Sequence, residues 1–592
     1  MLYTAAALIV FTLIFTGIGL LATLRWRSTQ ELRFSTLLLR FWTGWALTVA
    51  ALQIWHLFFK VSTAAFWLAA LCGLGGWVAA RGPVRAYLRG LRPFSALALA
   101  ALALIPAVAL GAHIFFVPPH YDHGLYHQQT IMWFNQYAVV PGLGNLHHRL
   151  AFNNANFLYA ALINAAPPAG RAFFTTNTTL AFVVILQCAA GVYRLFERGK
   201  PAAGLPLTDV YYALMLPAVL WHYSTTHLPG YSPDVVVFSL QVVLGGELLR
   251  LFEARAGERR EVLLSIILLA AVGVTVKLSF GVFGALAALV ALIVYLRHPP
   301  TADAPRRSVL ARLGLPIALG ALLVIPWLAR GVLLSGYPLF PSTALSIPVP
   351  WRMPYPLVEP ISPIILNWAR SANQTIQYTG DLAWLRQWYA AFPFDVVKRV
   401  FMLACAAAGL GLVWLAAEVL RARRLREAPA LGASLWGTAV LLIVSGLGVL
   451  GWFFLAPDYR FSGALIWKLA AEALVLLHLL AMRSRVTRDP LRLAVGLLLG
   501  LTILVSPNHF EIHKPGQQTV LPVSESEWVR QFIPDAPAEA RVTDSGLEVR
   551  VPAPPSDQCY DLPLPCTRAE DYLPSLRLIE PGDMQRGFTL QP

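Results

Sequence analysis

The sequence predicts an all-α polytopic membrane protein of about 14 transmembrane helices, with large loops on one side and a small β-containing C-terminal module. Three observations carry that expectation. Apolar runs of about 18–24 residues recur along the 592-residue chain, the length a helix needs to cross a hydrocarbon core. The composition is 57% hydrophobic and only 13% charged, too little polar surface to cover a water-soluble domain. Most arginines fall in short clusters between the runs.

Taken in order, the runs place spans at 3–22, 37–58, 63–80, 94–117, 172–194, 207–223, 233–250, 262–278, 279–296, 314–331, 397–419, 431–455, 461–481 and 491–508. Seven basic clusters punctuate them. They are centred on Arg25–Arg33, Arg81–Arg92, Arg194–Lys200, Arg255–Arg260, Arg297–Arg312, Arg421–Arg426 and Arg483–Arg492. All seven share one side if the N-terminus starts outside, and an even number of spans returns the C-terminus there. No small-residue cleavage site follows the first run, so it is expected to be retained. The setting this implies is a bacterial inner (cytoplasmic) membrane with both termini extracytoplasmic. The net charge of +15 resides in the clusters, so it marks topology and not a nucleic-acid partner. No Walker loop or dinucleotide fingerprint is present, and ATP-driven transport gains no support.

The first large outside loop, 118–171, opens on HYDHGLYHQQTIMWF, residues 120–134. If 121–137 is a helix along the membrane surface, His123 and His127 share a face and Asp122 and Tyr126 form the neighbouring strip. Asp122 is the only acidic residue between the fourth and fifth spans. A lone carboxylate at a membrane mouth is either used, as a general base, or spent as a helix cap. The histidines allow two active readings. With Asp122 they suit a divalent metal, or they contact a phosphate or sugar directly. His147, His148 and Arg149 add donors in the same loop.

The middle spans, which end near 331, contribute two polar candidates. Asp234 opens the 233–250 span, as a cap or as a site residue. Lys277 interrupts an apolar run, a functional flag unless it snorkels. A second outside loop covers 331–396 and is rich in Pro, Trp and Tyr. Beyond it, Arg460 begins the 461–481 span. The transmembrane domain should end near 508. Residues 509–592 should then form an extracytoplasmic module, with two short strands in 541–554 and a disulfide between Cys559 and Cys566. Outside cations such as Lys277 and Arg460 suit a lipid-linked phosphate, whose oxygens gain charge as a sugar departs.

HYDHGLYHQQTIMWF, GLGNLHHRLAFNNANFLYAAL and the late outside loop together resemble the GT-C superfamily of integral-membrane glycosyltransferases. Those enzymes use polyprenyl-phosphate-linked sugars. The fingerprint YDHGLYHQQ … PGLGNLHHRLAFN, with SGYPLFPS, PDYRF and QCYDLPLPCT, also looks like a largely uncharacterised family of bacterial membrane proteins near that superfamily. The GT-C resemblance implies that Asp122 is the catalytic base of an inverting transfer. The donor would be a polyprenyl-phosphate sugar and the acceptor a glycan, lipid or protein. Four spans before the loop, and one carboxylate where many members show a pair, depart from the superfamily layout. Three other functions compete: a transporter or lipid flippase of envelope precursors, a polysaccharide polymerase or ligase, and a non-enzymatic assembly protein.

Overall fold

Each expected span from 3–22 to 461–481 falls on a helix. The structure is a computed structural model. It describes residues 2–91, 93–114, 120–196, 206–225, 228–255, 257–297, 309–371, 382–392, 395–424, 433–483, 538–570 and 572–590. The last expected span, 491–508, lies outside the described residues. Among the described helices, 8 are long and apolar enough to cross a membrane, or up to 9 if the bent pair Thr63–Ala79 and Arg81–Gly90 is one span. Other helices are diluted by polar residues. Arg259–Val276 opens on Arg259, Arg260 and Glu261, and Leu207–Thr225 carries Asp209 and Pro217.

Small residues let the first helices touch backbone to backbone. A Cβ at Gly44, in Phe34–Trp55, would stand 1.8 Å from the Phe15 carbonyl oxygen of Leu2–Ala22. One at Gly76, in Thr63–Ala79, would stand 1.8 Å from that of Gly17. Apolar side chains gain little from leaving lipid for one another, so close van der Waals approach of this kind holds spans together.

Segments expected on one side of the membrane meet one another. Glu261 accepts from the Arg27 backbone at 2.6 Å and from the Ser28 hydroxyl, and Arg194 pairs with Asp209 at 2.6 Å. At the other ends of the helices, the Gly142 N–H donates to the Leu333 carbonyl at 2.7 Å. The Asn145 amide donates to the Trp351 carbonyl at 2.9 Å, and the Trp388 indole to that of Pro457 at 2.6 Å. The first loop, the second loop and the C-terminal module therefore share one end of the bundle.

The first loop is not a helix resting on a surface. His123–His127 is one π-helical turn, followed by an α-helix over Gln128–Gln136, and the whole π turn is buried. His123 faces Phe173 and Tyr231 while His127 faces Tyr126 and Phe157, so the two rings have separate surroundings. Asn156–Asn164, too short to span, is also buried, with Tyr159 against Phe15 at 5.6 Å and Trp45 at 5.9 Å. The reason is compositional. Trp133, Phe134, Phe157, Leu158 and Tyr159 give these segments apolar surface on more than one face, which an interfacial position would leave wet.

The module supplies much of the cover. β1 (Ala538–Val542) and β2 (Glu548–Pro552) pair antiparallel around the expected Asp544-Ser545-Gly546 turn, with the first strand beginning at 538 and not within 541–554. β3 (Leu576–Leu578) and β4 (Phe588–Leu590) form a second ribbon. The Cys559–Cys566 disulfide is present. Tyr560 donates its backbone N–H to Gly124 at 2.9 Å, and the Gln129 amide reaches the Tyr560 and Leu562 carbonyls.

Candidate functional site

Asp122 precedes the π turn, and its side chain makes no capping hydrogen bond there. Its carboxylate faces cations instead. Arg149 donates to Oδ1 at 2.9 Å, and the Arg460 guanidinium lies 3.7 Å from Oδ2. Arg460 also meets His120 Nε2 at 2.5 Å. Nδ1 of the same ring accepts from the Asp122 backbone N–H at 3.1 Å and lies 3.6 Å from the Asp122 carboxylate, so His120 ties Arg460 to the start of the turn. Asp458 caps the short Tyr459–Ser462 helix by accepting from the Arg460 backbone N–H at 2.7 Å, which fixes where that guanidinium can reach.

A second pair stands beside the first. Lys277 ends the Arg259–Val276 helix in extended backbone and bonds Asp234. Ser232, not Asp234, caps Pro233–Glu253, which leaves the Asp234 carboxylate for the lysine. Lys277 Nζ lies 4.1 Å and Arg460 Cζ 5.3 Å from the Phe461 ring centre, so one ring carries both cations. Neither Asp234 as a mere cap nor Lys277 as a snorkelling residue describes this arrangement.

Electrostatics divide the roles. Burial acts to raise the Asp122 carboxyl, but His127, His120, Arg149 and Arg460 outweigh it and hold it below its ordinary value. Burial pushes His127 down to about 3, so its imidazole is neutral at pH 7 and the two arginines do the holding there. Arg460 is raised: burial opposes its charge, and Asp234, Asp458 and Asp122 more than compensate. The cations are the more exposed partners. The Arg149 and Arg460 side chains are each 31% exposed against 18% for Asp122. An anion approaching the site meets guanidinium first.

The remaining candidates separate. His123 packs on Phe173 and Tyr231, and His127 on Tyr126 and Phe157. The Tyr126 ring lies under Arg149 at 5.7 Å and helps aim it. His147 and His148 stack on each other at 5.1 Å, on the module side of the loop, with Arg568 and Glu570. Among the described residues, only His147, His148 and Glu570 bring three ligand atoms of His, Cys, Asp or Glu type within 4.8 Å of one another. Asp122, His123 and His127 do not form such a group.

Residues 1–467 match the family described as "Domain of unknown function (DUF8201)". The chain belongs to that family. No curated protein and no solved structure matches the chain. The DUF8201 match contains Asp122, Arg149, Asp234, Lys277 and Arg460, and ends before the module that carries Glu570.

Several polar residues of this DUF8201 chain escape a reading by loops. Lys468 and Glu472 form a buried pair at 2.8 Å inside Leu465–Arg483, with Ser445 donating to Glu472 at 3.0 Å. The signal for it exists: Lys and Glu four apart within an apolar run. Arg330 reaches His56 at 2.5 Å and Asn153 at 3.2 Å, and no spacing rule links those three positions.

Proposed function

We propose that this protein is a membrane glycosyltransferase that moves a sugar from a polyprenyl-phosphate donor to an acceptor hydroxyl on the extracytoplasmic face, with inversion. The observation that carries the reading is the meeting of Asp122, Arg149 and Arg460 beside Asp234–Lys277, at the shared end of the bundle where the loops and module gather. The full reading has 14 spans and a GT-C-like layout in a bacterial inner membrane, with both termini outside.

The site's own charges suggest the order of events. A carboxylate held by two guanidiniums is a weak base. The donor phosphate draws Arg149 and Arg460 towards itself, with Lys277 near, and leaves Asp122 less stabilised as an anion and so more basic. Asp122 then takes the acceptor proton. The acceptor oxygen attacks the anomeric carbon, and the carbon–oxygen bond to phosphate breaks with its electron pair on the leaving phosphate. Asp122→Asn should abolish transfer from a polyprenyl-phosphate sugar in membranes at wild-type expression. Wild-type turnover in that variant would refute the assignment of the base.

A transporter or flippase reading draws on the buried Lys468–Glu472 pair. It predicts the opposite dependence: lipid translocation lost when Lys468 and Glu472 are both replaced, and indifferent to Asp122→Asn.

A further inference from the structure

We propose that His147, His148 and Glu570 bind a divalent metal ion of the zinc type, which clamps the C-terminal module onto the first loop. The two histidines end the short Leu143–Leu146 helix and begin the turn at His148–Ala151. Glu570 comes from the far end of the chain. It arrives because Thr567 donates to the Leu146 carbonyl at 2.9 Å and Cys566 is fixed by its disulfide. His148 Nδ1 stands 3.9 Å from Glu570 Oε1, and the ligand atoms of all three residues lie within 4.8 Å. Tetrahedral zinc holds its ligand atoms about 3.3 Å apart, so small rotations of the side chains close the set.

A second observation points to a ligand. His147 is 2% exposed, and both of its ring nitrogens are buried without a hydrogen-bond partner. A metal bond would satisfy one of these two nitrogens. Arg568 donates to Glu570 and orients it. Two imidazoles and a carboxylate are a ligand set that zinc accepts with a fourth position open.

The proposal is independent of the transfer reaction, and its test reads metal directly. The full-length protein in detergent is stripped with chelator and titrated with zinc chloride. Bound zinc is measured by mass spectrometry after gel filtration, alongside the melting temperature. One zinc ion per chain is expected, with a higher melting temperature. Glu570→Gln, which keeps the shape beside Arg568, and His148→Gln, at a partly exposed position, should each weaken binding by more than the roughly 100-fold that an outer-shell partner is worth at most. Both should remove the zinc-dependent rise in melting temperature, and Asp122→Asn should leave both readouts unchanged. Wild-type protein that holds no stoichiometric zinc overturns the proposal. So does wild-type affinity in a folded Glu570→Gln or His148→Gln chain, or loss of zinc in Asp122→Asn alone.

Discussion

Asp122 and His127 are neighbours that titrate in different ranges, and both ranges are visible in stability. His127 has its value lowered from 6.5 to about 3, so between those values the unfolded chain binds a proton that the folded chain refuses. Its contribution is fully present above pH 6.5 and declines as pH falls towards 3. Asp122 is lowered from 3.8, so its contribution is present above 3.8 and is lost only below that. Thermal unfolding in detergent from pH 7 to pH 3 should therefore show stability falling from about pH 6.5. His127→Gln should reduce the slope above pH 4 by up to one proton, whereas Asp122→Asn should flatten only the limb below it. Equal effects of the two variants at pH 5 would contradict this division. At this scale the sequence flagged Asp122 and Lys277 as polar residues in costly places, and Arg149 and Arg460 as cations near them. It did not show their pairing, because Arg149 and Arg460 lie 27 and 338 residues from Asp122 (149 − 122; 460 − 122).

At the scale of elements, the π turn and the module interlock. A Cβ on Gly124 would stand 2.2 Å from the Tyr560 ring, and Tyr560 bonds the Gly124 carbonyl. Gly124→Ala should cost about 1–3 kcal/mol of overpacking, read as faster proteolysis within 538–590. Adding Tyr560→Ala should recover much of that loss, and no recovery would place the strain elsewhere. The Leu465–Arg483 helix offers a separate test. Lys468 and Glu472 are 0% and 1% exposed, so Lys468→Met alone strands a buried carboxylate and should cost about 3–5 kcal/mol. Lys468→Met with Glu472→Leu should cost much less, measured by thermal unfolding of the purified protein. Helices were legible here because an apolar run of sufficient length has few alternatives in lipid. The π turn was not, since its distinguishing feature is backbone hydrogen bonding that residue spacing does not encode.

For the whole molecule, the contacts divide the chain ends of the helices into two sets. One holds Arg27, Glu261, Arg194 and Asp209, and the other Asp122, Asp234, Lys277, Leu333 and Arg460. Single cysteines in a cysteine-free background, at Arg255 for the first set and Ser342 for the second, should react with a membrane-impermeant thiol reagent from opposite sides. Labelling of both from one side would break the topology. The expectation of alternation rests on the arginine clusters, which resist translocation. The amino-acid order by itself determined the helical class, the positions of the long apolar helices, the hairpin at Asp544–Gly546 and the Cys559–Cys566 bridge. Each depends on residues within one helix or one turn. Only the tertiary structure decided which carboxylate meets which cation, that the first loop is buried instead of resting on a surface, and that Glu570 comes to lie beside His147 and His148. Those outcomes depend on the packing of segments hundreds of residues apart, and no local periodicity records it.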